Sequence, residues 1–215
     1  MSFTTLFSDL DETLYTKGNG LWDAIAARMN EYIHVQLNLP PEEVSTLRRH
    51  YYESYGTTLR GLQLHHQVNA NDYLAYVHDL PLEDYIHPDP QLHQLLSSLS
   101  LRKWVFTNAD AHHASRVLDI LGVSDCFEGI IDVRAIEFIC KPEIEAYHRA
   151  LTLANEDQPS DCILLDDSVR NLVPAKDLGF TTVLVGSNGT HPAADYTLEK
   201  IHQLPNALPD LWHTH

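Results

Sequence analysis

Three acids fall within four residues at Asp9-Leu10-Asp11-Glu12, directly after a short apolar run. Carboxylates that close repel one another, and burial protonates them unless something compensates. A bound cation is one such compensation. A second acidic pair, Asp166-Asp167, follows Cys162-Ile163-Leu164-Leu165; Thr107-Asn108 closes another apolar stretch, and Lys141 stands before Pro142. Carboxylates offer hard oxygen ligands suited to Mg²⁺, an ion that keeps several waters and accepts a phosphate oxygen. One carboxylate of such a set can attack phosphorus, a second can transfer protons, and Thr107 and Lys141 can hold phosphoryl oxygens and balance their charge. Singly, each group has a plainer use: a Thr after a strand caps a turn, Lys-Pro opens a helix, and Asp-Asp-Ser caps one.

The elements that must carry these residues alternate. Residues 4–8 read as a buried strand ending at the first acids. Leu21, Ile25, Met29 and Ile33 recur at helical spacing over 21–39, Pro40-Pro41-Glu42-Glu43 starts a new helix, and helical patterns continue to about Leu80. From Pro90 the pattern becomes helix 90–99, strand 102–108, helix 112–121, a short irregular strand near 129–133 and helix 143–154. A strand from Cys162, a helix over 169–178 ended by Gly179, and a strand over 181–185 complete it. Strands alternating with helices predict an α/β fold, a parallel sheet covered on both faces, whose ligands sit beyond the carboxyl ends of the strands. Asp9, Asp11, Thr107, Asn108, Asp166 and Asp167 all fall at those ends, with Lys141 opening the helix before the last acidic strand.

Composition narrows the partners. The 215 residues can bury a sizeable core, and 44% of them are hydrophobic. Thirty acids against fourteen Lys and Arg give a net charge of -16, with no basic block. Nucleic acid and anionic membranes are therefore excluded as partners, and a small molecule is expected. No apolar stretch approaches a bilayer span and no signal-like N-terminus appears, so a soluble, cytoplasmic protein is expected. Cys126, Cys140 and Cys162 are odd in number and lack metal-like spacing, which predicts reduced core thiols. The fourteen histidines, including His65-His66 and His112-His113, lack zinc-site spacing and read as exposed helix residues; the terminal Trp212-His213-Thr214-His215 is given no function.

Four ordered motifs carry a resemblance: Asp9-Leu10-Asp11-Glu12-Thr13, Phe106-Thr107-Asn108-Ala109, Lys141-Pro142 and Leu164-Leu165-Asp166-Asp167-Ser168. Together they resemble the haloacid dehalogenase superfamily, in its branch of phosphatases with an inserted helical cap. The resemblance implies a doubly wound, Rossmann-like core over 1–16 and 86–215, with a small all-helical cap over 17–85 inserted after the first strand. It implies Asp9 as the phosphorylated nucleophile and Asp11 as general acid and then base, also giving its backbone carbonyl to Mg²⁺. Thr107, Lys141 and Asn108 would bind the phosphoryl group, and Asp9, Asp166 and Asp167 would hold the metal. Glu12 reads as an exposed bystander. Dehalogenases of the superfamily lack an acid at the second position, so Asp11 points to phosphoryl transfer.

Within the insertion, Tyr51-Tyr52-Glu53-Ser54-Tyr55-Gly56-Thr57-Thr58-Leu59-Arg60-Gly61-Leu62 resembles the cap segment of pyrimidine 5'-nucleotidases. It implies a nucleoside 5'-monophosphate such as UMP or CMP, with Tyr55 stacking on the base and Arg60 reaching ribose or phosphate. A sugar phosphate or phosphoglycolate phosphatase, or a phosphomutase, is the nearest alternative. A non-enzymatic, phospho-accepting regulator is the alternative of another class, although receiver domains place their acceptor after the third strand and carry no helical insertion.

Overall fold

Leu6 and Phe7 begin the fold by pointing to opposite sides, as neighbours in a strand must. They belong to β1 (Thr5–Ser8), buried along its whole length. On its two sides β1 pairs in parallel with β2 (Arg102–Phe106) and β4 (Cys162–Asp166). β3 (Gly129–Ile131), β5 (Thr181–Val185) and β6 (Tyr196–Leu198) complete a six-stranded parallel sheet ordered β3-β2-β1-β4-β5-β6. The chain leaves β1 toward β2 and β3, then crosses back to β4 on the opposite side. The order thus reverses around β1, and such a reversal opens a crevice at the strand's carboxyl end. This computed structural model describes residues 3–212, so residues 213–215 of the histidine-bearing terminus lie outside it.

The alternation along the strands builds one core on each face. Leu6, Val105, Ile163 and Leu165 pack with α5 (Pro90–Ser98) and α6 (Ala111–Leu121). Phe7, Phe106, Leu164 and Leu184 pack with α7 (Ile144–Leu153) and α8 (Val169–Leu178). This is the expected doubly wound α/β arrangement. Cys126, Cys140 and Cys162 are free and buried, as expected. Among the described residues no helix is long and apolar enough to cross a membrane.

Between β1 and α5 lie four helices: α1 (Leu21–Leu37), α2 (Pro41–Tyr55), α3 (Thr58–His66) and α4 (Ala70–Val77). They share a separate apolar core of Ile33, Val44, Tyr51, Leu62 and Tyr73, reached from the sheet side by Val133 and Cys140. Two arginines hold this layer down. Arg116 on α6 donates to the His78 and Leu80 carbonyls, and Arg170 on α8 to those of Tyr52 and Glu53.

Several boundaries and two short elements depart from expectation. The strand expected over 102–108 stops at Phe106, because Thr107 and Asn108 turn away to serve the site. α1 stops at Leu37, where Asn38 takes a left-handed conformation. The short strand β6 and helix α9 (Leu204–Ala207) carry too few residues to show a period, and sequence reasoning missed both.

Candidate active site

Lys141 sits at the centre of the acidic residues. Its ammonium group, 1% exposed, donates to Asp9 Oδ1 at 2.9 Å, Asp166 Oδ2 at 2.7 Å and the Phe106 carbonyl at 2.7 Å. All three of its protons are thereby used. The Asn108 side chain clamps the Lys141 backbone in both directions, donating to its carbonyl and accepting from its N–H, each at 2.9 Å. Asn108, expected at the phosphoryl group, lines the same cavity as the acids, and its side chain also places Lys141. The Thr107 hydroxyl accepts from the Ala109 N–H at 3.0 Å and lines the same cavity as the acids.

Asp166 is fully buried, and its oxygens also accept from the Ser168 N–H and the Asn171 amide. Asp167 is held by Lys17 Nζ at 2.8 Å, which also stands 3.5 Å from Glu12. Glu12 therefore differs from the exposed bystander expected: its side chain is 14% exposed and accepts from the Gly18 N–H.

Carboxylate oxygens of Asp9, Asp166 and Asp167 lie within 4.8 Å of one another. Burial pushes Asp9 up to about 8; the Lys141 ammonium opposes the rise, and Asp166, Asp167 and Asp11 add to it. Burial likewise raises Asp167 despite Lys17. The protein's own cations thus leave this cluster short of positive charge. A set of hard oxygens with excess negative charge fits Mg²⁺.

Asp11 differs from Asp9. Burial pushes it up, but the His113 charge and hydrogen bond, the Tyr15 phenol and His78 outweigh that and hold it below the ordinary value. His113 Nε2 lies 2.9 Å from Asp11 Oδ1, and Tyr15 donates to the same oxygen at 2.7 Å. His113 is fully buried and stacks on His78, itself buried, with ring centres 4.2 Å apart. Both correct the reading of the histidines as exposed. Sequence reasoning missed these two and Tyr15; the one available signal was His113 lying three residues after Asp110, the cap that starts α6 beside the strand ends.

Above the acids opens a cavity of about 580 Å³. Asp9, Asp11, Thr107, Lys141 and Asp167 floor it, and Trp22, Met29, Arg48, Arg49, Tyr52 and Tyr73 supply much of its helical wall. Tyr55 and Arg60, expected to touch substrate, do not line it. The reason is helical phase: Arg48, Arg49 and Tyr52 share one face of α2, while Tyr51 and Tyr55, four apart, turn to α3. There the Tyr55 hydroxyl meets His65 Nε2 at 2.6 Å, and Tyr51 meets His66. Arg60 lies in α3, its backbone N–H capped by Thr57.

A family model described as haloacid dehalogenase-like hydrolase matches residues 3–179, which span β1 to β4, the helices up to α8 and all four site segments. The chain belongs to this family. Phosphate metabolism protein 8 of Saccharomyces cerevisiae is 31% identical over 207 residues, covering 90% of this chain; the chain spans 63% of that relative's length. Solved haloacid dehalogenase-like structures share the fold at low identity. The hydrolase YfnB of Bacillus subtilis, bound to magnesium, aligns with a TM-score of 0.61 at 15% identity over 96% of this chain and 98% of its own. A phosphatase of the family from Thermococcus onnurineus gives 0.62 at 19% over 95% and 96%. The L-2-haloacid dehalogenase of Xanthobacter autotrophicus gives 0.59 at 16% over 98% and 99%. Family membership rests on the matched model and the yeast relative, and these structures share the fold alone.

Proposed function

We propose that this hydrolase is a Mg²⁺-dependent phosphomonoesterase that works through an aspartyl phosphate on Asp9. One observation carries the reading: Asp11, two residues beyond Asp9, faces the same cavity while its own hydrogen bonds all fall on one oxygen. An acid so placed serves a leaving oxygen that needs a proton, which a departing halide does not.

Asp9 attacks phosphorus as the ester P–O bond breaks; Asp11, an anion at rest, takes up the proton of a phosphate monoanion and gives it to the departing alcohol oxygen. Asp11 then takes a proton from the water that hydrolyses the aspartyl phosphate, which restores both acids. Thr107 offers its hydroxyl to a phosphoryl oxygen, and the Lys141 ammonium, bound to Asp9 and Asp166, balances the developing negative charge. Asp9, Asp166, Asp167 and the Asp11 backbone carbonyl would hold Mg²⁺, which when bound keeps Asp9 anionic and draws charge from the phosphoryl group. Residues 17–85 act as a cap that sets the cavity's shape and excludes water.

The substrate proposed is a nucleoside 5'-monophosphate, a pyrimidine one such as UMP or CMP. Aromatic rings at Trp22 and Tyr52 beside Arg48 and Arg49 support it, because a base stacks on the former and polar oxygens meet the latter. The test is phosphate release across nucleotides, sugar phosphates, phosphoglycolate and p-nitrophenyl phosphate, with Mg²⁺ and with chelator. UMP or CMP should lead, chelator should silence turnover, and Asp9→Asn should lower it by about 10³-fold or more with the far-UV spectrum unchanged. Turnover by Asp9→Asn near wild type would end the aspartyl-phosphate reading, and a sugar phosphate in first place would end the nucleotide one.

A further inference from the structure

Asp11 is held in an unusual way for a group that must move protons. Both of its hydrogen bonds, from Tyr15 Oη and His113 Nε2, fall on Oδ1. No described side chain donates to Oδ2, and Asp11 lines the cavity. A phenol can only donate to a carboxylate, so Oδ1 is fixed as the acceptor and Oδ2 is left as the working oxygen.

The holders are themselves fixed. Tyr15 lies one helical turn's spacing along from Asp11 and is 8% exposed in the apolar core. His113 is fully buried, its backbone N–H is taken by Asp110 Oδ1 at 2.8 Å, and the His78 ring lies nearly parallel to it, at 19°. His78 comes from the helical layer, where Arg116 grips its carbonyl at 3.0 Å. His113 Nδ1 finds no hydrogen-bond partner among the described residues and His78 Nδ1 only stands 3.7 Å from Asp110 Oδ1, so burying the two imidazoles costs stability and packing alone gives little reason for the pair. Orienting Asp11 gives one.

We infer that His113 and Tyr15 are positioning residues that pin Asp11 Oδ1 and thereby aim Oδ2 at the leaving oxygen, with His78 serving as the plate that fixes the His113 ring. The inference rests on Asp11 being the proton donor proposed above. No proton leaves His113 or Tyr15 in the step; the proton on Asp11 Oδ2 passes to the alcohol oxygen as the P–O bond breaks.

The readout is kcat/KM, which reports steps up to alcohol release and ignores hydrolysis of the aspartyl phosphate. It is measured on p-nitrophenyl phosphate, whose leaving phenolate needs no proton, and on the best aliphatic phosphate of the screen, whose alkoxide does. His113→Ala should lower kcat/KM on the aliphatic ester by about tenfold more than on the aryl ester. Tyr15→Phe should shift the ratio in the same sense, and His113→Gln, whose amide N–H can still donate to Oδ1, should restore at least half of the loss. Equal losses on both esters in Tyr15→Phe and His113→Gln would mark a merely structural role and overturn the inference, even where His113→Ala does not fold. Wild-type protein that hydrolyses neither ester removes the phosphatase reading and the inference with it; wild-type turnover of both with an unchanged ratio in the variants removes the inference alone.

Discussion

Lys141 is the residue on which the buried charges depend. Burial alone lowers a lysine, but Asp166 and Asp9 outweigh it and hold the ammonium well above its ordinary value. Removing one partner of such a set leaves the others buried and uncompensated. Lys141→Ala should therefore cost about 3–5 kcal/mol in urea unfolding without Mg²⁺. A loss under about 1 kcal/mol, the worth of a surface pair, would refute that dependence. The chemical type of this residue was legible in Lys141-Pro142. Its company was not, because Asp9 and Asp166 come from strands 132 positions before and 25 after it.

At the scale of elements, short turns decide where functional side chains go. Gly56, between α2 and α3, has φ +83°, and a Cβ there would stand 2.8 Å from the Lys141 carbonyl oxygen. Only glycine permits both the turn and that approach, which ties the helical layer to the site. The start of α6 is fixed by Asp110, whose carboxylate accepts from the His113 N–H. Burial works to raise Asp110, but His78 and the His113 N–H outweigh it and bring it down to about 2, against an ordinary 3.8. A depressed carboxylate adds stability that is complete above its unfolded value and is lost as pH falls through its folded one. Thermal midpoints should therefore fall more steeply between pH 4 and 2 in the wild type than in Asp110→Asn, which should itself be less stable by about 1 kcal/mol near neutral pH. Identical slopes would show that Asp110 carries none of the acid sensitivity. The helix break at Gly56 was legible from the sequence; which face of α2 it turns toward the acids was not, since several faces of α2 carry aromatic or basic residues.

For the whole molecule, the sheet reversal at β1 gathers acids from two adjacent strand ends, β1 and β4, into a chain already at -16. A ligand that binds only the folded cluster must then stabilise the entire fold. Mg²⁺ at about a hundred times its Kd should add roughly 2.7 kcal/mol and raise the thermal midpoint, and Asp167→Asn should blunt the rise. A midpoint indifferent to Mg²⁺ would remove the metal from the site, whatever the activity assays show. Such a thermal readout separates metal binding from turnover.

Hydrophobic period and strand-end polarity are local properties, so the sequence by itself determined the α/β alternation, the helical insertion and the acids at the strand ends. It also determined Asp11 as the second acid, two residues after Asp9. Only the tertiary structure decided that Arg48, Arg49 and Tyr52 rather than Tyr55 and Arg60 face the cavity, that Asn108 serves Lys141, and that His113 reaches Asp11 across 102 residues. Those outcomes depend on the phase of each helix and on how layers pack. Burial against a distant partner sets both, and no local pattern records it.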